Sequence, residues 1–167
     1  MTWRGSTAPT DRIFACLVYL LPLLDVVGLV GRQLLLSDSF LTPLLGAILI
    51  PLAPLMSVYY GFGGFMPLII FFVLYLLVVR NESIAHFIRF NAMQSILFGI
   101  VLSLFSILWG FIFSNFLPPS SLITQTIFNT VFLATIVAVG YSILQSALGK
   151  YAEIPTISDA AYTQVRW

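Results

Sequence analysis

Charge is scarce in this sequence: the seven basic and six acidic residues among 167 amount to 8 %, where a soluble domain carries about a quarter. Hydrophobic residues make up 60 % and mean hydropathy is +1.05, so water is not the main solvent of this chain. The net charge of +1 leaves no basic surface to neutralise a run of phosphates, which excludes nucleic acid as a partner. Cysteine occurs once, at Cys16 in an apolar run, which rules out an intramolecular disulfide and a cysteine metal cluster and leaves the redox compartment unreadable. The single histidine, His86, has no second His, Cys or acidic cluster beside it and reads as an interfacial residue rather than a metal ligand. Neither HExxH, GxSxG nor a P-loop occurs, and the glycine cluster at 61–64 lacks the spacing and strand-to-helix setting of a nucleotide loop. No enzyme and no cofactor is expected.

What is there is apolar sequence in lengths that suit a bilayer. A membrane helix needs roughly 20 apolar residues, with about 17 sufficient. Stretches 13–30, 62–79, 92–117 and 122–148 meet that requirement. A fifth, 40–60, contains Pro43, Pro51 and Pro54, and proline removes a backbone donor and clashes with the preceding turn. It is expected to be a broken, re-entrant or interfacial segment that does not cross. Charge placement agrees. With four crossings, Arg4, Arg12, Arg80, Arg89, Lys150 and Arg166 share one side against Arg32 alone; with five, the better split sets five against two. The positive-inside rule therefore favours an all-α protein of four transmembrane helices with both termini cytoplasmic or stromal. Its parts are a polar segment 1–12, a membrane domain 13–148 and a polar tail 149–167. The glycines at 61–64 read as a hinge where the second span begins. Tyr59, Tyr60, Tyr151 and Trp167 fall near the proposed edges, where amphipathic rings prefer to sit. Pro118 and Pro119 end the third helix, and Ser120 and Ser121 offer hydroxyl caps to the fourth.

Residues 1–12 with Arg4 and Arg12, followed by apolar sequence, superficially match a secretory signal. No small-x-small site closes the run and Pro22 and Asp25 interrupt it, so cleavage is not expected. Nor is there a Ser- and Arg-rich extension of the transit-peptide kind.

In lipid, helices associate through close packing and interhelical hydrogen bonds. The third stretch carries Ser95, Gly99, Ser103, Ser106, Gly110 and Ser114 at steps of three and four. The fourth carries Thr126, Thr130, Ala134, Ala138, Ser142 and Ser146 at every fourth position. Two such stripes joined by a short loop predict a tight antiparallel pair, with Gly99, Ser103, Gly110, Ala134, Ala138 and Ser142 as packing positions; the alternative is hydroxyls lining an aqueous path. Asp25 is the most conspicuous ionisable residue inside a span. A mid-membrane carboxylate costs about 2.5–3.5 kcal/mol on insertion scales and usually faces the bundle interior or a water-filled cavity. It is either functional or placed just past a helix ended early by Pro22, with Arg32 as a partner if the helix persists. Arg89, Asn91 and Gln94 form a second polar group, in an amphipathic stretch that reads as an interfacial helix or the cytoplasmic start of the third span. Asn91 and Gln94 share a face and can bond across helices.

The runs DRIFACLVYLLPLLD (11–25), PLAPLMSVY (51–59), FFVLYLLVVRN (71–81), RFNAMQSIL (89–97), NTVF (129–132) and YSILQSALGKYAEIPTISDAAY (141–162) resemble, in order, the twenty-kilodalton subunit family of the protein-import translocon at the chloroplast inner envelope and its cyanobacterial relatives. The resemblance implies a four-helix protein of the plastid inner envelope or cyanobacterial plasma membrane. It also implies a central subunit of a protein-import complex and a candidate channel former. Its partners would be the lipid bilayer, other translocon subunits, a translocating polypeptide and further copies of itself. It supplies no catalytic residue. A small-solute or ion transporter using Asp25, and a membrane-protein assembly factor, are the alternative functions.

Overall fold

The computed structural model describes residues 7–37 and 39–165, and every regular element among them is helical. Arg4, Arg166 and Trp167 lie outside the described residues. Helix α1 (Pro9–Leu17) begins on a proline, and the Asp11 carboxylate accepts the Ala8 N–H at 3.1 Å. The helix opens at Val18 and Tyr19 and resumes as α2 (Leu20–Leu36). Pro22 explains the interruption, because it has no N–H for the Val18 carbonyl four residues back. Ser95 supplies the missing donor from another helix, its hydroxyl reaching that carbonyl at 2.6 Å. Together the two helices form one apolar run of 28 residues, so Asp25 lies well inside it rather than past a helix end.

Residues 40–60 depart from expectation. They form one continuous helix, α3 (Thr42–Gly61), in which Pro43 occupies the first turn and Pro51 and Pro54 sit in the interior. Both interior prolines are exposed, on the side away from the bundle. Proline is tolerated in such helices where hydroxyls and local adjustment serve the freed backbone; Ser57 donates to the Pro54 carbonyl at 2.7 Å. The expected second span, 62–79, is the shorter piece: α4 (Met66–Val73) runs on into a π-helical turn, Leu74–Val79, for 14 residues in all. Four helices are long and apolar enough to cross a membrane, as expected, but they are Pro9–Leu36, Thr42–Gly61, His86–Asn115 and Leu122–Ala147.

The contacts show how the two unequal pieces fit. The Thr42 hydroxyl donates to the Leu34 carbonyl at 3.2 Å and that of Tyr60 to the Leu24 carbonyl at 3.3 Å, so α3 runs antiparallel to α2. Its 18-residue separation, about 27 Å of helix, meets ten residues, about 15 Å, of α2, so it lies obliquely. Gly63 and Gly64, with φ of 63° and 80°, then turn the chain through a conformation that other residues rarely adopt. Helix α4 continues in the same direction until Val79 meets Arg89 near the start of α5 (His86–Phe111). Residues 42–79 therefore return the chain along the bundle in two pieces. The path has four traverses, and Arg12, Arg80, Arg89 and Lys150 gather at one end.

Helix α5 ends in a single 3-10 turn, Phe113–Asn115, and α6 (Leu122–Ala147) starts on Ser121, whose hydroxyl accepts the Thr124 N–H at 3.1 Å. The expected tight pairing of these two helices does not occur. Each packs on α1 and α2, which lie between them, and they make no extended backbone contact with each other. Large rings bridge the gap near the turn: Trp109 and Phe128 meet edge to face at 4.8 Å between centroids. The axis is filled by Val26, Val30 and Phe132, all fully buried. The tail is structured too. Helix α7 (Ile157–Gln164) docks on the start of α5, burying Ala161 and Val165 against Phe90, Met93 and Val79.

Candidate functional site

Polar side chains converge at two levels of the bundle. The first surrounds the break between α1 and α2. The Asn91 Oδ1 accepts from the Tyr19 hydroxyl at 2.8 Å and from the Ser146 hydroxyl at 2.9 Å, while its Nδ2 donates to the Phe87 carbonyl at 2.7 Å. One amide thus joins α5, α6 and the N-terminal helix, all fully out of contact with solvent. Interhelical bonds of this kind couple by about 0.6 kcal/mol on average and up to about 1.7. Arg89, 6 % exposed, turns its Nε to the Val79 carbonyl at 2.9 Å. That carbonyl ends the π-helical turn, so the arginine caps backbone that the wider helix leaves over. Gln94 is fully buried, and neither its Nε2 nor its Oε1 has a hydrogen-bond partner among the described residues. A buried amide in that state is the usual seat of an internal water.

The second level lies about one and a half turns further along α5. Asp25 is half-buried, and its Oδ1 accepts from the Tyr59 hydroxyl at 2.8 Å. Gly99 makes room beside the other oxygen: a methyl added there would come to 3.1 Å from Oδ2. Asp25, Tyr59, Gly64, Pro67, Gly99 and Ser103 border a cavity of about 420 Å3, whose remaining walls are Ser95 and apolar side chains of α2, α4, the π-helical turn and α5. It sits where α3 hands over to α4. Close by, Gly28 lets the Tyr60 ring lie on α2, since a Cβ there would overlap the Tyr60 hydroxyl.

The structure thus brings Arg89, Asn91 and Gln94 to one level and Asp25, Gly99 and Ser103 to the other. Ser142 is buried and bonds its own helix at the Ala138 carbonyl, 2.8 Å away. Gly110 and Ala134 are exposed and Ala138 half-buried, so the α6 stripe from Thr126 to Ala134 faces outward. Sequence reasoning missed Tyr19, Tyr59 and Tyr60, which it placed at span edges or passed over. The signal was a phenol within apolar sequence, which needs a partner when buried. Among the described residues, no three His, Cys, Asp or Glu come together as a metal site.

The family model described as "Chloroplast import apparatus Tic20-like" matches residues 9–161, the stretch that contains both polar levels and most of α7. A Tic20 family protein of Synechocystis sp. is 47 % identical over 164 residues, covering 98 % of each chain. The Tic20 family protein Ycf60 of Gracilaria tenuistipitata var. liui is 36 % identical over 93 % of this chain and 75 % of its own length. Protein TIC 20-II, chloroplastic, of Arabidopsis thaliana is 30 % identical over 99 % of this chain and 78 % of its own. With four helices long and apolar enough to cross a membrane and these relatives in Synechocystis, Gracilaria and Arabidopsis, the chain belongs to the Tic20 family of multi-pass membrane proteins.

Proposed function

We propose that this chain is a non-enzymatic membrane subunit of a protein-translocating complex, lying in a cyanobacterial plasma membrane or plastid inner envelope. The observation that carries the reading is the likeness to proteins of the chloroplast import apparatus along nearly the whole chain. The filled axis supports a further point. With α2 at the centre and Val26 and Val30 fully buried, one copy has no room for a polypeptide, so a channel is assembled from several copies or from partner subunits. The end that gathers Arg12, Arg80, Arg89 and Lys150 faces the cytoplasm or stroma.

Photocrosslinkers at Ser103 and Thr130, both exposed on the outside of the bundle, test the reading in native membranes. Capture of polypeptides in transit is the expected result. Capture of stable membrane neighbours alone would replace the translocon subunit with an assembly factor. The Asp25 cavity beside a broken traverse favours a second reading, a small-solute transporter with a discontinuous helix at its site. Solute flux into vesicles that disappears in Asp25→Asn would support it.

A further inference from the structure

A carboxyl group in an apolar cavity has few ways to satisfy both oxygens. At Asp25 the Oδ1 is held by Tyr59, whereas Oδ2 makes no hydrogen bond among the described residues and points past Gly99. The hydroxyl of Ser95, one turn before Gly99 on α5, is already spent on the Val18 carbonyl. Ser103, one turn beyond Gly99, lines the same cavity and is exposed. The other walls include Leu21, Pro67, Phe71, Leu74 and Ile96. Leu68, Ile100 and Leu104 border it as well and are 53 %, 39 % and 54 % exposed on the outer face. The mouth therefore opens between α4 and α5 toward lipid. Its volume of about 420 Å3 falls among small-molecule sites, which run from about 300 to 1,000 Å3 with apolar walls and few polar groups.

We propose that this cavity binds a small lipophilic amine from the bilayer, its nitrogen donating to Asp25 Oδ2 and its apolar body lying against α4 and α5. The pairing suits the surroundings: carboxyl and amine together are net neutral whichever of them holds the proton, so the occupied site carries no isolated charge in an apolar medium. A second N–H has the Ser103 hydroxyl as acceptor. The site is independent of whether the chain handles polypeptides.

The test uses the full chain in nanodiscs of neutral phosphatidylcholine with tritiated 1-adamantylamine as the probe. Saturable uptake above empty nanodiscs is expected, and 1-adamantanecarboxylic acid should not displace it. Asp25→Asn, which removes the charge-assisted bond, should weaken binding roughly ten- to a hundredfold. Ser103→Leu, which fills the mouth with a side chain on the exposed face, should weaken it while leaving Asp25 in place. A second measurement needs no variant: dicyclohexylcarbodiimide should modify Asp25 from the lipid phase to the N-acylurea, read by peptide mass spectrometry, and N,N-dimethyl-1-adamantylamine, a tertiary amine that cannot be coupled to the activated carboxyl, should protect it. Equal uptake by wild type and a folded Asp25→Asn, uptake no greater than in empty nanodiscs, or carbodiimide labelling indifferent to the amine would each overturn the proposal.

Discussion

Single residues in this protein act mainly by serving backbone or amide groups that lipid cannot serve. Asn91 is the clearest case, because one oxygen collects two hydroxyl protons from two other helices. A double-mutant cycle between Asn91→Leu and Tyr19→Phe, read from thermal unfolding in lipid nanodiscs, should give a coupling of about 0.6–1.7 kcal/mol; additivity would mean that the bond is not formed. Gly28 makes the opposite kind of contribution, by omission. Gly28→Ala brings a methyl onto the Tyr60 hydroxyl, so this half-exposed side chain must swing aside and give up its bond to the Leu24 carbonyl, a loss of about 0.5–1.5 kcal/mol. In a Tyr60→Ala background, where that bond is already gone, Gly28→Ala should cost nothing further, and an added loss would place the damage elsewhere in α2. Asp25 was legible as a residue in need of an explanation, but its partner was not. Amphipathic preference assigns Tyr59 to the membrane edge, whereas a buried carboxylate draws the nearest phenol to itself, which only the fold reveals.

At the scale of elements, small-residue periodicity announces close approach without naming the neighbour. The stripe on α5 is used at Ser95 and Gly99, and the helix it meets is the N-terminal one rather than α6. Thr126, Thr130 and Ala134 of the α6 stripe are exposed on the outside of the bundle, which is inexpensive in lipid because tails contact alanine and leucine alike. Leucine substitutions should therefore separate two positions that sequence treats alike. Gly99→Leu should lower the unfolding temperature and disturb the Asp25 cavity. Ala134→Leu should leave the unfolding of the single chain unchanged. Equal damage from both would restore the pairing of α5 with α6. Proline content misjudged α3 for a related reason. A helix whose prolines face outward loses two hydrogen bonds, yet opening it in hydrocarbon would strand many more backbone groups. The π-helical turn at Leu74–Val79 left no trace in the pattern of apolar residues, since they surround it on all sides.

The whole molecule was more readable than its parts. Counting arginines and lysines predicts that the termini and the 80–91 loop share one side, and the prediction is the same for one straight span as for a two-piece return, because both cross the bundle an even number of times. Single cysteines introduced at Asn81, Lys150 and Ser120 in a Cys16→Ser background check it with a membrane-impermeant maleimide. The first two should react from one side and Ser120 from the other. Reaction of Asn81 and Lys150 from opposite sides would require the two pieces of the return to be counted as separate crossings.

The central position of the N-terminal helices has a consequence in time. A ribosome delivers Pro9–Leu36 ahead of the other three long helices, so the part of the bundle that they lean on is already in the membrane when they emerge. Each newcomer finds its template waiting, and α6, which leaves the ribosome well after α5, closes over the far side of that template without having to part helices that have already joined.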